Sequence, residues 1–220
     1  MIEKVYIFDL DDTLFEEHSY VRSGFFAVAS EISKQHPVSE EKIYDLLVET
    51  WLKLGRGRVF NIVCAKLKID LDIQKLVYLY RNHKPQIKLY EDAETVITQL
   101  SRNYKLGLIT DGNSQMQWSK IKALNLEERF DCIVVTGDLG RDFWKPHELP
   151  YKKVVESLNM SYDQCVYIGD NPNKDFITAS KLGMGTVRII RDVGDHMKLT
   201  LSKEYEADRN IYSLLELIDK

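Results

Sequence analysis

Short β-rich runs recur along this 220-residue chain, and each ends in a small or acidic residue. The sequence predicts strands at 4–9, 104–112, 132–138, 165–170, 185–190 and about 206–208. Helical patterns are predicted between or after them at 114–126, 147–159, 173–182 and 210–219. Strands that alternate with helices over this length are typical of a parallel sheet covered by helices on both faces. The pattern therefore predicts an α/β chain with a doubly wound parallel sheet.

The segment between the first two strands breaks this alternation. Its amphipathic patterns predict only helices, at 20–35, 39–54, 57–67 and 72–83. Ser39 and Asp72 stand at two of the helix starts, Pro37 separates the first two helices, and Pro85 follows the last. So long a helical segment is better explained by a second small domain than by a crossover connection. We expect a Rossmann-like core at 1–15 and 86–220, with an inserted α-helical cap domain at 16–85.

Charge and apolar content exclude several classes of protein. The net charge of −4 provides no broad basic surface for nucleic acid or for anionic lipid. No apolar run reaches the roughly 18 residues of a membrane helix, and the N-terminal stretch lacks the features of a signal peptide. Cys64, Cys132 and Cys165 are an odd number without a close pair, which is typical of reduced thiols. We expect a cytoplasmic protein that binds neither nucleic acid nor membranes.

Three aspartates follow the first predicted strand, in the sequence YIFDLDDTLF. Asp9 and Asp11 are two residues apart, so on an extended backbone their side chains point to the same side. Two ionised carboxylates at close quarters repel each other and favour a bound cation, and Mg²⁺ prefers oxygen ligands. An aspartate-rich turn without a ligand explains the same residues. A calcium-binding EF-hand does not, because Leu14 and Tyr20 occupy the positions that need Gly and Glu.

Polar groups also follow the second and fourth strands. At Thr110, Asp111 and Gly112 the chain can turn tightly, so that backbone N–H groups form an anion site at a helix start. Asp170 follows the fourth strand directly, and Asp175 lies five residues later. Ligands of open parallel sheets bind beyond the carboxyl ends of the strands. Each segment alone is also explained as an ordinary turn, so the prediction of a functional site rests on all of them meeting at one edge of the sheet.

Together these segments resemble the haloacid dehalogenase-like hydrolases over the whole chain. The first motif is Asp-x-Asp-x-Thr, and the second is a strand that ends in Thr110. A lysine, Lys145, stands before a helix as the third motif, and Gly-Asp-x-x-x-x-Asp, with Asp170 and Asp175, is the fourth. All four occur in the family's order. One departure is that Glu148 stands where the family often has proline, which concerns the local course of the loop.

The resemblance implies a role for each matching residue. Asp9 would be the nucleophile, and Asp11 the general acid and base. Mg²⁺ would be held by Asp9, Asp170 and the backbone carbonyl of Asp11, with Asp175 supporting the site through water or by orienting Lys145.

Phosphate binding follows from the second and third motifs in the same way. The Thr110 hydroxyl and the N–H groups of Asp111 and Gly112 would bind phosphate oxygens, and Lys145 would add a positive charge to Asp9 and to the transferring group.

Asp11 favours one activity within the family. Carbon–halogen cleavage needs neither a metal nor an acid for the leaving group, so the resemblance implies a phosphatase acting on a small phosphorylated metabolite. A phosphomutase, which would use the same motifs, and less readily a 2-haloacid dehalogenase are the alternatives. A non-enzymatic binding module would be expected to lack at least one catalytic carboxylate, and all are present.

Substrate choice is expected to depend on the cap and on its entrance. Arg56 and Arg58 flank a glycine between two predicted helices, where they could meet an anionic substrate. His18, with Glu16 and Glu17, lies where the chain leaves the core, and a hinge explains these three residues equally well. An ordinary exposed turn explains the arginines. The sequence leaves both a monomer and a homodimer open.

Overall fold

The sheet of this protein has six parallel strands in a computed structural model that describes residues 4–218. The strands are β1 (Val5–Phe8), β2 (Lys105–Thr110), β3 (Cys132–Val135), β4 (Cys165–Gly169), β5 (Gly185–Ile189) and β6 (Arg209–Ile211). Their order across the sheet is β3-β2-β1-β4-β5-β6. The strand order reverses beside β1, which pairs with β2 on one side and β4 on the other. The predicted doubly wound α/β fold is confirmed.

Eight α-helices complete the described chain. They are α1 (Glu17–Gln35), α2 (Glu40–Leu54), α3 (Val59–Leu67), α4 (Ile73–Asn82), α5 (Glu91–Leu100), α6 (Ser114–Ala123), α7 (Leu149–Leu158) and α8 (Phe176–Lys181). Within residues 4–218, none of them has the length and apolar character needed to cross a bilayer.

The chain forms two compact units, Met1–Glu17 with Ile87–Lys220, and His18–Gln86. In the first unit, side chains of the sheet such as Ile7 and Tyr167 are fully buried in one cluster with Val154 of α7 and Phe176 of α8. The strands are therefore apolar on the faces that the helices cover, as a parallel sheet buried on both sides requires.

The second unit is entirely helical and has a core of its own. Phe25 lies at its centre, with ring centroids 6.0 Å from Trp51, 6.1 Å from Phe60 and 5.8 Å from Tyr80. Ser39 caps α2 by accepting a hydrogen bond from the Lys42 N–H, and Asp72 caps α4 in the same way from Gln74. Both caps occur at the predicted residues, because capping depends on local sequence.

The C-terminal prediction was wrong. A strand was expected at about 206–208 and a helix at 210–219, but the strand is Arg209–Ile211, followed by a 3₁₀ turn at Leu214–Leu217. Residue 219 lies outside the described residues. Ile211 is buried where β6 pairs with β5, and a capping box between Ser213 and Glu216 starts the short turn. Pairing of β6 with β5 thus outweighs the helical pattern that the sequence shows from residue 210 onward.

Helix α5 was not predicted, although its pattern is present in the sequence. Ala93, Val96, Ile97 and Leu100 are buried along one face, at the spacing of an amphipathic helix. The third strand was predicted too long, because Thr136–Asp138 forms a 3₁₀ turn directly after Val135.

Candidate active site

The carboxyl ends of β1, β2 and β4 bring the predicted polar residues to one edge of the sheet. Asp9 directly follows β1, and its N–H donates to the carbonyl of Ile168 on β4 at 2.8 Å. Thr110 is the last residue of β2, and Asp170 directly follows β4. This edge lies at the reversal of strand order, where ligands of doubly wound sheets bind.

Three buried carboxylates form the centre of the site. Asp9, Asp170 and Asp175 each offer an oxygen, and these oxygens lie within 4.8 Å of one another. Burial raises the pKa of Asp9 to about 6, with the Asp175 carboxylate acting in the same direction and Lys145 against it. Burial and the Asp175 and Asp9 carboxylates raise the pKa of Asp170 well above its usual value.

Lys145 is the cation within this group. Its Nζ lies 2.8 Å from Asp9 Oδ1, 2.8 Å from Asp175 Oδ1 and 2.8 Å from the hydroxyl of Tyr167. Burial alone would lower the pKa of Lys145, but the Asp175 and Asp9 carboxylates hold it well above its usual value. The lysine is therefore charged, and it links the first motif to the fourth.

The donor set fits a divalent cation. Lys145 pairs with two of the three carboxylates, and Asp170 Oδ2 is buried without a hydrogen-bond partner among the described residues. A buried carboxylate oxygen is costly unless it binds a proton, a hydrogen-bond donor or a metal. An all-oxygen site of this kind suits Mg²⁺.

Asp175 has both oxygens engaged by protein groups. Oδ1 accepts from Lys145, and Oδ2 accepts from the Asn171 N–H at 2.8 Å. A β-carbon on Gly169 would lie 2.5 Å from Asp175 Oδ2, so glycine is needed there. These contacts favour the indirect role for Asp175, in which it orients Lys145.

The carboxylate of Asp11 contacts helix α6. Its Oδ1 lies 2.6 Å from Lys120 Nζ, and its Oδ2 accepts from Gln117 Nε2 at 2.8 Å. The backbone carbonyl of Asp11, rather than this carboxylate, is what the resemblance assigns to the metal.

The side chain of Asp111 ties the loop after β2 to neighbouring loops. Asp111 Oδ1 accepts from the Thr136 hydroxyl at 2.9 Å and from the Lys145 N–H at 3.1 Å, and Asp111 Oδ2 lies 3.2 Å from Lys174 Nζ. Although burial acts to raise it, the pKa of Asp111 is lowered by Lys145 and Lys174. Gly112 has a φ of +145°, where a β-carbon would lie 3.0 Å from the Gln117 side chain.

Comparison of the sequence with known families agrees with this arrangement. A family model described as haloacid dehalogenase-like hydrolase matches residues 6–189. The chain belongs to this family. The resemblance stated from the motifs is therefore confirmed, and the chain is a hydrolase by family.

Two relatives of this hydrolase are glyceraldehyde 3-phosphate phosphatases. That of Methanocaldococcus jannaschii is 32% identical, over 97% of this chain and 94% of the relative. That of Pyrococcus furiosus is 28% identical, over 98% of this chain and 92% of the relative.

A solved structure shows the same fold. It is the putative hydrolase YfnB of Bacillus subtilis, described as bound to magnesium. Its TM-score is 0.74 at 20% identity, over 98% of this chain and 96% of that one.

Several residues that contact the site were missed from the sequence. Among them are Gln117, Lys120, Thr136, Tyr167, Asn171 and Lys174. Gln117 and Lys120 are three positions apart on the helix after Thr110, so they share a face that could have been identified. Thr136 and Lys174 carry no comparable pattern, because their relation to Asp111 depends on the packing of separate loops.

Asp12 is a further buried carboxylate of the first motif, with a left-handed φ of +51°. It accepts hydrogen bonds from the N–H groups of Glu17 at 2.8 Å and Asp195 at 3.2 Å. Burial raises the pKa of Asp12 to about 7. The residue therefore anchors the chain at the point where α1 begins.

The residues proposed for specificity lie in the helical unit. Arg56 and Arg58 are exposed in the turn between α2 and α3. The ring of His18 packs edge-on to that of Trp51, with centroids 4.7 Å apart. Their contact with substrate stays a prediction.

Proposed function

We propose that this hydrolase is a Mg²⁺-dependent phosphatase that hydrolyses a small phosphomonoester through an aspartyl-phosphate. One observation carries the proposal. The buried carboxylates of Asp9, Asp170 and Asp175 meet within 4.8 Å at the switch point of the sheet, and Lys145 contacts Asp9 and Asp175. An anionic phosphate would be repelled by these carboxylates, so the proposed site needs a bound cation in addition to Lys145.

Asp9 is the proposed nucleophile. A carboxylate oxygen of Asp9 forms a bond to phosphorus while the bond from phosphorus to the leaving oxygen breaks. Water then attacks the phosphorus and releases inorganic phosphate, which restores the carboxylate. Lys145, 2.8 Å from Asp9 Oδ1, holds this side chain in place and offsets negative charge.

Asp11 is the proposed acid and base. It gives a proton to the leaving oxygen in the first step and takes a proton from the attacking water in the second, so that it is regenerated in each cycle.

The metal site is proposed to consist of Asp9, Asp170 and the backbone carbonyl of Asp11. Bound Mg²⁺ supplies charge neutralisation between the nucleophile and the phosphoryl group. Asp175 supports the site by holding Lys145.

The phosphate site is proposed to consist of the Thr110 hydroxyl, the N–H groups of Asp111 and Gly112, and Lys145. The start of α6 at Ser114 adds the favourable end of a helix dipole for an anion. The bonds from Asp111 to Thr136 and Lys145 keep this loop in one conformation.

The substrate is proposed to be a small phosphorylated metabolite, with triose phosphates the first to test. The names of the two relatives support this choice. Asp11 supports phosphate release over dehalogenation, because a halide leaving group needs no proton. We further propose a cytoplasmic enzyme, since Cys64, Cys132 and Cys165 are unpaired thiols. The proposal is compatible with a monomer or a homodimer.

Phosphate release tests this function. Glyceraldehyde 3-phosphate and p-nitrophenyl phosphate are assayed with Mg²⁺, with EDTA, and with EDTA followed by excess Mg²⁺. We expect activity that EDTA abolishes and Mg²⁺ restores. Activity that survives complete chelation would contradict the metal requirement. Halide release from a 2-haloacid, with no phosphate release from any phosphomonoester, would indicate a dehalogenase instead.

A further inference from the structure

Helix α6 buries two polar side chains on the face that it turns toward the first motif. Gln117 and Lys120 are each only 2% exposed, and they lie one helical turn apart. Lysine is almost never buried to this extent unless its ammonium group is paired. The burial of Lys120 therefore requires a negatively charged partner nearby.

That partner is Asp11, which the two side chains hold by different oxygens. Lys120 Nζ lies 2.6 Å from Oδ1, and Gln117 Nε2 donates to Oδ2 at 2.8 Å. Two donors on two oxygens fix both the position and the rotation of a carboxylate. Each oxygen can accept a second hydrogen bond, so these two contacts leave a lone pair on each oxygen for proton transfer.

The same two side chains connect neighbouring loops. Gln117 Nε2 also donates to the Thr110 hydroxyl at the end of β2, and Lys120 Nζ lies 5.8 Å from the ring centroid of the fully buried Phe15. The position of Asp11 is thereby tied to the loop that is proposed to bind phosphate.

We propose that Lys120 and Gln117 are positioning residues, which hold the Asp11 carboxylate where it exchanges protons with the leaving oxygen and with water. This inference rests on the acid–base role proposed for Asp11. A purely structural pair would instead neutralise a buried charge and leave the proton-transfer step unaffected. The two interpretations differ in how the rate depends on the leaving group.

Two substrates of similar shape separate these interpretations. p-Nitrophenyl phosphate has a good leaving group that needs little protonation, whereas phenyl phosphate has a poorer one that depends on the acid. Both are assayed with Mg²⁺ in the wild type and in Lys120→Met, Lys120→Arg and Gln117→Leu. Lys122→Met is the matched control, because Lys122 is an exposed lysine on the same helix.

We expect Lys120→Met to lower kcat/KM for phenyl phosphate at least about 10-fold more than for p-nitrophenyl phosphate, within the range of general acid catalysis. The loss should lie in kcat, with KM little changed, because the interaction acts in the transition state. Gln117→Leu should show a smaller difference between the two substrates in the same direction. Lys120→Arg should recover part of the kcat/KM for phenyl phosphate that Lys120→Met loses. Lys122→Met should leave both substrates within about two-fold.

Equal losses of kcat/KM for the two substrates, in both Lys120→Met and Gln117→Leu, would overturn the positioning role. The phosphatase assignment would remain intact. If circular dichroism shows that Lys120→Met does not fold, Gln117→Leu decides, and an unchanged substrate ratio in that variant overturns the role. A folded wild type that releases phosphate from no phosphomonoester would overturn the proposed function, and this role with it.

Discussion

The Nζ of Lys145 lies 2.8 Å from Asp9 Oδ1, across 136 positions of sequence. The same nitrogen lies 2.8 Å from Asp175 Oδ1. One buried ammonium group thus joins the loops that follow β1 and β4. Such a contact serves both stability and chemistry, because each carboxylate that it neutralises would otherwise be buried with an uncompensated charge.

Replacing Lys145 by Met should therefore impair both properties. We expect the metal-free variant to lose about 3–5 kcal/mol of unfolding free energy, as when one partner of a buried ion pair is removed. Urea denaturation measures this loss. Lys152→Met is the control, since Lys152 makes an exposed pair with Glu148 and solvent screens such pairs so that they contribute little to stability. Equal losses in the two variants would contradict the prediction.

Asp9 and Asp11 should differ in their effect on catalysis. Asp9→Asn removes the proposed nucleophile and should abolish turnover, whereas Asp11→Asn should cost about 10²–10⁴-fold, the range of acid–base assistance. Beryllium fluoride, a phosphoryl mimic, should form an adduct with the wild type and with Asp11→Asn, detectable by fluorine NMR. An adduct that persists in Asp9→Asn would disprove the nucleophile assignment.

Asp170→Asn should stabilise the metal-free protein and remove most of the stability that Mg²⁺ adds. In the metal-free protein the substitution removes a buried carboxylate whose Oδ2 has no partner among the described residues, so the melting temperature should rise. With Mg²⁺ at about 100 times Kd, the wild type should gain about 2.7 kcal/mol, and the variant should gain little. Differential scanning calorimetry with and without Mg²⁺ measures both effects. The exposed Asp163→Asn is the control, and an identical Mg²⁺ response in Asp170→Asn would place the metal elsewhere.

The helical unit should lose stability in mild acid because of His83. Burial lowers the pKa of His83 below its usual value of 6.5, against the effect of its bond to the Tyr80 carbonyl. The unfolded chain then binds a proton at His83 more readily than the folded chain does. The contribution of neutral His83 to the free energy of unfolding is therefore fully present above about pH 6.5, and it is lost as the pH falls toward the pKa of the folded state.

Calorimetry between pH 5 and pH 8 should show this loss in the wild type and a flatter profile in His83→Gln. His36→Gln, at a half-buried histidine of the same unit, should keep the wild-type profile. A wild-type slope in His83→Gln would exclude His83 as the group responsible.

The cap arginines should affect one class of substrate. If Arg56 or Arg58 binds the part of the substrate that does not react, replacement by Ala should depress kcat/KM for the physiological anion strongly and for p-nitrophenyl phosphate little. Arg81→Ala, at an exposed arginine of α4, should leave both unchanged. Values for both substrates within about two-fold in both variants would direct attention to Glu16, Glu17 and His18.

The class of fold, and the strand ends that bear polar residues, can be predicted from local patterns in the sequence. Asp9, Thr110 and Asp170 could be placed at one edge of a parallel sheet, because each follows an apolar run and parallel strands end at a common edge. Caps such as Ser39 were predicted for a related reason, since a helix start depends on a few neighbouring residues.

The partners of these residues depend on tertiary packing and could not be predicted from local patterns. Asp11 and Asp175 are both aspartates that closely follow a predicted strand, so the sequence does not distinguish their surroundings. In the structure, Lys120 and Gln117 of α6 contact Asp11. Asp175 instead contacts Lys145 and Asn171. These contacts depend on strand order and on how closely helices pack against loops, which no short stretch of sequence encodes. The C-terminus shows the same limit, since β6 exists because β5 has an edge with which it can pair.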